Sequence, residues 1–212
     1  QAGKETIVLE RGKRWEINDP TINETFGTFD SIDGRCEWLN DSGKTKIPAY
    51  EGKPITKYTG ILECVKHGEY TFLVGAGVGG GSHCYGGILI EPPKELWEQQ
   101  IPEIDYQEME SKYFPMVHST IGSSKIPDDI LNSEFYLGLK ELVSQAEKAG
   151  FKECESTNNG MKDGYVKFKM GIDWDKTREE IENKRVVSQI DAQFWFGQNS
   201  GAKQTLDQNY LK

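Results

Sequence analysis

The chain has 212 residues, of which 36% are hydrophobic and 28% charged, a composition that indicates a folded, soluble protein and excludes a disordered one. Its net charge of −9 argues against nucleic acid as a partner, because phosphate binding needs a surplus of Lys and Arg on one face. No stretch approaches the roughly 18 consecutive apolar residues of a membrane span, and the opening QAGKETIVLERG lacks the basic region and apolar core of a signal peptide. The four cysteines, Cys36, Cys64, Cys84 and Cys154, form no CxxC pair, which excludes a zinc ribbon and a disulfide-dense scaffold. No metal site is expected, and the compartment stays open between secreted and cytoplasmic.

The first predicted element is Glu5–Glu10 (ETIVLE), a short β-rich run ending in a carboxylate and followed by the turn Arg11-Gly12-Lys13. Before it, Gln1-Ala2-Gly3-Lys4 reads as the tail of a helix with Gly3 at its C-cap. Residues 16–58 form a long irregular excursion rich in Asn, Asp, Gly, Thr and Pro, and its aromatics Phe26, Phe29 and Trp38, with Trp15 at its edge, imply that it is packed. A hairpin is expected next, with strands Gly60–Val65 and Tyr70–Val74 joined by Lys66–Glu69. Pro92–Gln100 reads as a short helix opened by proline. Tyr106–His118 reads as helix interrupted at Pro115. The strongest helix is Ser133–Gly150, with Ser133 as N-cap, an apolar face of Phe135, Leu139, Leu142, Val143 and Ala146, and Gly150 as the stop. Tyr165–Met170 alternates as a strand does, and Asp175–Lys184 is a charged helix. The end, Leu206–Lys212, reads as a helix just starting, so both termini look like cuts through a larger fold.

The chemically informative segment is Gly75-Ala-Gly-Val-Gly-Gly-Gly-Ser-His-Cys-Tyr-Gly-Gly87, in which seven of thirteen residues are glycine. Glycine removes the side chain and allows positive φ, so backbone N–H groups can approach an anionic or flat ligand. An apolar strand feeds the run, and Ile88, Leu89 and Ile90 follow it, the pattern of a buried loop and not of a linker. It is not a Walker A loop, since no Lys-Ser/Thr follows the glycines. It is not an opening dinucleotide fingerprint either, since Pro92 and Pro93 exclude a long helix directly after it.

GAGVGGGSHCYGG, followed by Pro93-Lys94 and Lys112-Tyr113-Phe114-Pro115, resembles the cholesterol-oxidase members of the glucose-methanol-choline (GMC) family of flavoproteins. Gly197–Leu211 (GQNSGAKQTLDQNYL) resembles a second segment of that family, and Ile7–Gly12 resembles the second strand of its flavin fold. The resemblance implies an α/β chain, α+β overall, holding part of an FAD-binding Rossmann-like domain with an inserted substrate domain. Residues 1–90 would belong to the FAD-binding region, 91–190 to the substrate domain, and 191–212 to the return into the FAD-binding domain. It implies FAD as cofactor and hydride transfer from the CH–OH group of an apolar alcohol such as a sterol, with oxygen or another acceptor taking the electrons. Glu10 would bind the adenosine ribose hydroxyls. Gly75, Gly77, Val78, Gly80 and Gly81 would contact flavin and diphosphate, with Tyr85, Gly86 and Ile88 beside the isoalloxazine ring. Steroid-oxidising relatives often carry Asn at the position of Tyr85.

The same resemblance assigns no catalytic residue to this chain. The family's first strand with its GxGxxG loop would precede Gln1, and its catalytic His/Asn pair would follow Lys212, so the chain is expected to be a fragment. The position where some family members tether FAD falls on Cys84 and not on His83, and a small buried thiol is the expectation there. His67 is expected to be solvated in the hairpin turn, and His118 has no partner evident from spacing. The alternative reading is a non-catalytic binding module that keeps the flavoprotein fold without activity.

Overall fold

The computed structural model describes residues 3–17, 25–28, 32–38, 43–56, 59–154, 164–183 and 195–211. The protein is a mixed α/β chain of the α+β kind, with several helices and, among the described residues, three separate two-stranded sheets. It divides into two compact units. The first comprises Gln1–Gly86, Ala192–Ser200 and Thr205–Lys212; the second comprises Gly87–Asp191 and Gly201–Gln204. No helix among the described residues is long and apolar enough to cross a membrane.

In the first unit, β1 (Leu62–His67) and β2 (Tyr70–Gly75) form an antiparallel hairpin in the register Leu62↔Gly75 to His67↔Tyr70. The turn is therefore the two residues Gly68-Glu69, tighter than the four-residue connection the sequence suggests, and His67 is the exposed last residue of β1. One end of the hairpin is anchored: the Leu62 N–H donates to Cys36 O at 3.1 Å and the Ala76 N–H to Ile61 O at 2.8 Å. The core around this anchor contains Trp15, Phe26, Cys36, Ile61, Leu62 and Phe196. Much of it comes from the irregular excursion, whose only helix among the described residues is the 3-10 turn Pro48–Tyr50. Phe29 and the helix tail at Gln1-Ala2 lie outside the described residues.

Phe26 is the hub of this core. It is 1% exposed, its ring centroid lies 5.4 Å from that of Trp15 and 5.9 Å from that of His83. Asn199 pairs its backbone like a neighbouring strand: the Phe26 N–H donates to Asn199 Oδ1 at 2.8 Å, and Asn199 Nδ2 donates to Phe26 O at 3.1 Å. Glu5–Glu10 departs from expectation, forming no ladder, with Ile7, Val8 and Leu9 exposed at 85%, 64% and 91%. β-propensity needs a neighbouring strand to complete its hydrogen bonds, and among the described residues none lies beside this segment.

The second unit opens with β3 (Ile88–Leu89), followed by α1 (Lys94–Gln100), whose N-cap is Pro93. α2 (Tyr106–Glu108) runs through a π-helical turn, Met109–Tyr113, into α3 (Phe114–Ile121). Pro115 thus does not interrupt the helical run. Proline lacks an N–H and crowds the carbonyl four residues back, and the wider π turn, closed by the Phe114 N–H on Met109 O, accommodates it. Trp97, Tyr106 and Phe114 meet edge-on, with ring centroids 5.9 to 6.4 Å apart, and fix α1 against this run.

α4 (Asp128–Leu131) precedes α5 (Leu137–Lys148), which begins later than the sequence suggests, after a 3-10 turn at Glu134–Tyr136. Ser133 makes no side-chain cap, and its buried Oγ has no partner among the described residues. The C-terminus is as expected: Gly150, at φ 93°, lets the Phe151 N–H return to Ala146 O at 3.0 Å. β4 (Lys152–Glu153) pairs in parallel with β5 (Gly164–Tyr165), and β6 (Lys169–Met170) pairs with β3. Tyr165–Met170 is therefore two short strands and not one. α6 (Trp174–Glu182) is capped by Asp173, which accepts the Asp175 and Lys176 N–H groups; Lys184 lies outside the described residues.

Replacing Asn199 by Ala leaves the buried Phe26 N–H and C=O without these partners. Equilibrium urea unfolding is expected to register a loss of about 1–3 kcal/mol, with the slope of the transition unchanged.

Candidate functional site

The glycine loop follows β2 directly and is built backbone against backbone. A side chain at Gly12 would collide with the Gly77 amide nitrogen, and one at Gly75 would sit 2.5 Å from Gly80 O. One at Gly77 would meet the Trp15 indole at 2.8 Å. Glycine at these positions answers to packing. Around Gly80 and Gly81 the opposite holds, since added side-chain atoms there would meet nothing within 4 Å.

The loop's amide groups alternate in their pairing. The N–H groups of Ala76, Val78, Gly80 and Ser82 donate to Ile61 O, Lys13 O, Gly77 O and Gly79 O, at 2.8 to 3.2 Å. The N–H groups of Gly77, Gly79 and Gly81 meet no acceptor among the described residues. Of the three, Gly81 faces open space, whereas Gly77 and Gly79 are buried and packed; a free glycine donor beside open space is what an anionic or flat polar ligand requires.

Glu10 is brought to this loop by the Arg11–Lys13 turn. Its Oε1 accepts the Gly12 N–H at 2.7 Å, and Lys13 O in turn receives the Val78 N–H. Tyr85 and Gly86 end the first unit; burial pushes the Tyr85 phenol up to about 12, so it stays protonated. Ile88 belongs to the second unit, where it pairs with Met170. Cys84 is half-buried against the first unit's core. The four cysteines are free thiols, and no group of His, Cys, Asp and Glu among the described residues could hold a metal ion.

The helix expected to start at Leu206 is a 3-10 turn that lies on the loop, a contact that the sequence does not announce residue by residue. The turn, Leu206–Gln208, sends the Leu206 N–H to Ser82 Oγ at 3.0 Å, and Ser82 Oγ donates to Gly79 O at 2.7 Å. Arg14 fixes the turn's carbonyls, donating to Asp207 O at 3.4 Å and Leu211 O at 2.9 Å. His83 is 1% exposed and its Nε2 lies 2.7 Å from Val78 O and 3.5 Å from Asp207 Oδ1. A carbonyl only accepts, so Nε2 carries the proton. That buried, occupied nitrogen is not available to a flavin. Asp207 Oδ1 and Thr205 Oγ1 are buried without a hydrogen bond among the described residues.

The second unit holds two further features. His118 does have partners, contrary to the sequence reading: Nδ1 is 2.6 Å from Ser123 Oγ and Nε2 is 2.9 Å from Glu91 Oε1, which also meets Lys169 Nζ at 3.4 Å. Glu91 is 27 residues away in sequence, so no local spacing announces the pair. An apolar cavity of about 310 Å³ is lined by Ile88, Leu139, Leu142, Val143, Phe168 and Met170, among others. It is opened by the apolar face of α5, on which Leu142 is 65% exposed. No family model matches the chain.

Two predictions follow from the loop and its neighbours. Gly79 has φ 104°, and a side chain there would sit 3.1 Å from Asp207 Oδ1. Gly79→Ala is expected to lower stability by at least about 1–2 kcal/mol from the backbone alone, whereas Gly81→Ala should change it by less than about 0.5 kcal/mol; urea midpoints distinguish the two. Burial also pushes the thiols of Cys36 and Cys64 from 9.0 to about 11. The folded state then holds more protons than the unfolded one between those values, so stability is intact below pH 9.0 and falls as pH rises toward 11. Melting temperatures across that window should fall less steeply in a Cys36→Ala/Cys64→Ala double variant.

Proposed function

We propose that the chain is the flavin-facing part of an FAD-dependent oxidoreductase of GMC type, acting on the CH–OH group of an apolar alcohol such as a sterol. The observation that carries this reading is the alternation of amides along the loop, which leaves the donors of Gly77, Gly79 and Gly81 unmatched. Buried backbone donors without acceptors, as at Gly77 and Gly79, are costly, and the phosphate and ring-edge oxygens of FAD are suitable acceptors. When bound, FAD supplies the ring that takes up the hydride.

The other residues divide by what they can offer. Val78 and Gly80 spend their N–H groups within the protein and contribute shape. Gly80 and Gly81 leave open the volume a ligand would occupy, and Gly75 lets the loop fold back on itself. Glu10, fixed by the Gly12 N–H, is suited to ribose hydroxyls. Tyr85 keeps its proton and can donate, with Gly86 adding no charge beside a flavin. A Rossmann-like arrangement of the first unit belongs to the same proposal. The apolar cavity of the second unit supports an apolar substrate, since its volume and lining suit a ring system or chain with few polar groups.

Thermal melting with added FAD, FMN and ADP tests the assignment. FAD is expected to raise the melting temperature more than ADP does, with quenching of flavin fluorescence on binding. Gly81→Val should keep the unliganded melting temperature and weaken FAD affinity by at least about tenfold (roughly 1.4 kcal/mol). Absence of any shift with saturating FAD would remove the flavin assignment, and FAD binding without reduction by any sterol or long-chain alcohol would leave a binding module.

A further inference from the structure

We propose that Ser123, His118 and Glu91 form a nucleophile relay in the second unit, which makes Ser123 an acceptor of acyl and phosphonyl groups. None of the three belongs to the proposed flavin site, so the relay stands or falls without it.

Local backbone geometry sets Ser123 against His118. α3 ends at Gly122, whose φ of 71° is the left-handed conformation that suits glycine. A side chain there would meet nothing within 4 Å, so the backbone alone calls for glycine. The Gly122 and Ser123 N–H groups both return to His118 O, at 2.9 and 3.0 Å. The chain thus doubles back over the last turn of α3, and Ser123 Oγ lies 2.6 Å from His118 Nδ1. The other ring nitrogen, Nε2, lies 2.9 Å from Glu91 Oε1. Glu91 follows β3, and its carboxylate meets Lys169 Nζ at 3.4 Å; Lys169 is the partner of Leu89 in the β3–β6 register.

A carboxylate oxygen only accepts, so the bond to Glu91 takes the Nε2 proton, and the neutral imidazole is left with Nδ1 as the acceptor of the Ser123 O–H. A hydroxyl bonded to a base that a carboxylate orients is the order of groups that activates serine for covalent catalysis. The two ring nitrogens exchange the places they hold in serine proteases, which alters the aim of the ring and not its capacity to relay a proton. Ser123 is half-buried, and its Oγ has no partner besides His118 among the described residues. Its neighbours Gly122 and Ser124 line a polar cleft of about 450 Å³, so a small acyl donor can approach this turn.

In the step proposed, Ser123 Oγ bonds to the carbonyl carbon of an ester as its proton passes to His118 Nδ1 and from there to the departing alcohol. The N–H groups of Gly122, Ser123 and Ser124 donate to His118 O and Met170 O, so none of them serves an oxyanion. A good leaving group offsets that in acylation, whereas deacylation must expel the serine oxygen itself. Ser123 is therefore expected to take up activated acyl and phosphonyl groups and to release them slowly.

Incubation of the full chain with an alkyl fluorophosphonate, read by peptide mass spectrometry, tests the relay. Phosphonylation is expected at Ser123, with the bond from Oγ to phosphorus forming as fluoride leaves. p-Nitrophenyl acetate should leave an acetyl group on the same residue, lost more slowly than it is formed. His118→Gln and Glu91→Gln should each slow phosphonylation by at least about tenfold, and Glu91→Asp, which retains a carboxylate, should recover part of that loss. A merely structural Glu91 would not give this recovery. An unmodified Ser123 in the unaltered chain overturns the proposal whether or not the variants fold, and so does a rate at Ser123 that His118→Gln or Glu91→Gln leaves unchanged.

Discussion

The close approach of Gly12 to Gly77, backbone on backbone, is the contact on which the candidate site depends. A methyl at Gly12 has nowhere to go, since its nearest neighbours are main-chain atoms of Ala76 and Gly77, which cannot swing aside. That contact places Lys13 O against the Val78 N–H and Trp15 against Gly77 and Ala76. The indole of Trp15 then meets Phe26. From one missing side chain the geometry passes to the loop on one side and to the core on the other.

The C-terminal segment completes this arrangement by working at two points. At Asn199 it supplies an amide that substitutes for a strand neighbour of Phe26. At Leu206 and Asp207 it supplies an N–H and a carboxylate to Ser82 and His83. Residues 195–200 and 205–211 are almost without regular structure, and these side-chain bonds help to hold them in place. This explains why the first unit, with only one hairpin among its described residues, nevertheless buries Trp15, Phe26 and Phe196 almost completely. Irregular chain can build a core when its polar groups are matched individually.

The sequence was legible where the determinant was local. The hairpin, the proline-opened α1, the glycine stop of α5 and the dense loop all announce themselves through residues within one turn or strand. The failures depend on partners that local composition does not announce. ETIVLE has strand composition, yet composition cannot supply the neighbour a ladder needs. Pro115 reads as a break because the π turn that absorbs it is cooperative over Met109–Tyr113. His118 looked solitary because Glu91 lies 27 residues before it. In the loop itself, glycine content pointed to a cradle, but nothing in the spacing of Ser82 and His83 indicated a turn more than a hundred residues later.

The loop also shows why its glycines are not interchangeable. Gly12, Gly75 and Gly77 are required because protein atoms occupy the place of a side chain, and Gly79 because of its positive φ and the polar atoms around it. Gly80 and Gly81 face open space, so packing does not explain their lack of side chains. Amide pairing follows the same division. From Ala76 to Ser82 every second N–H is spent on holding the loop, and those between are left without acceptors among the described residues. At buried Gly77 and Gly79 an unmatched donor costs stability that a neighbouring carbonyl could recover, whereas the N–H of exposed Gly81 is open to solvent. At Gly81 an unspent amide and a vacant side-chain position coincide, and the proposed ligand site is built on that coincidence.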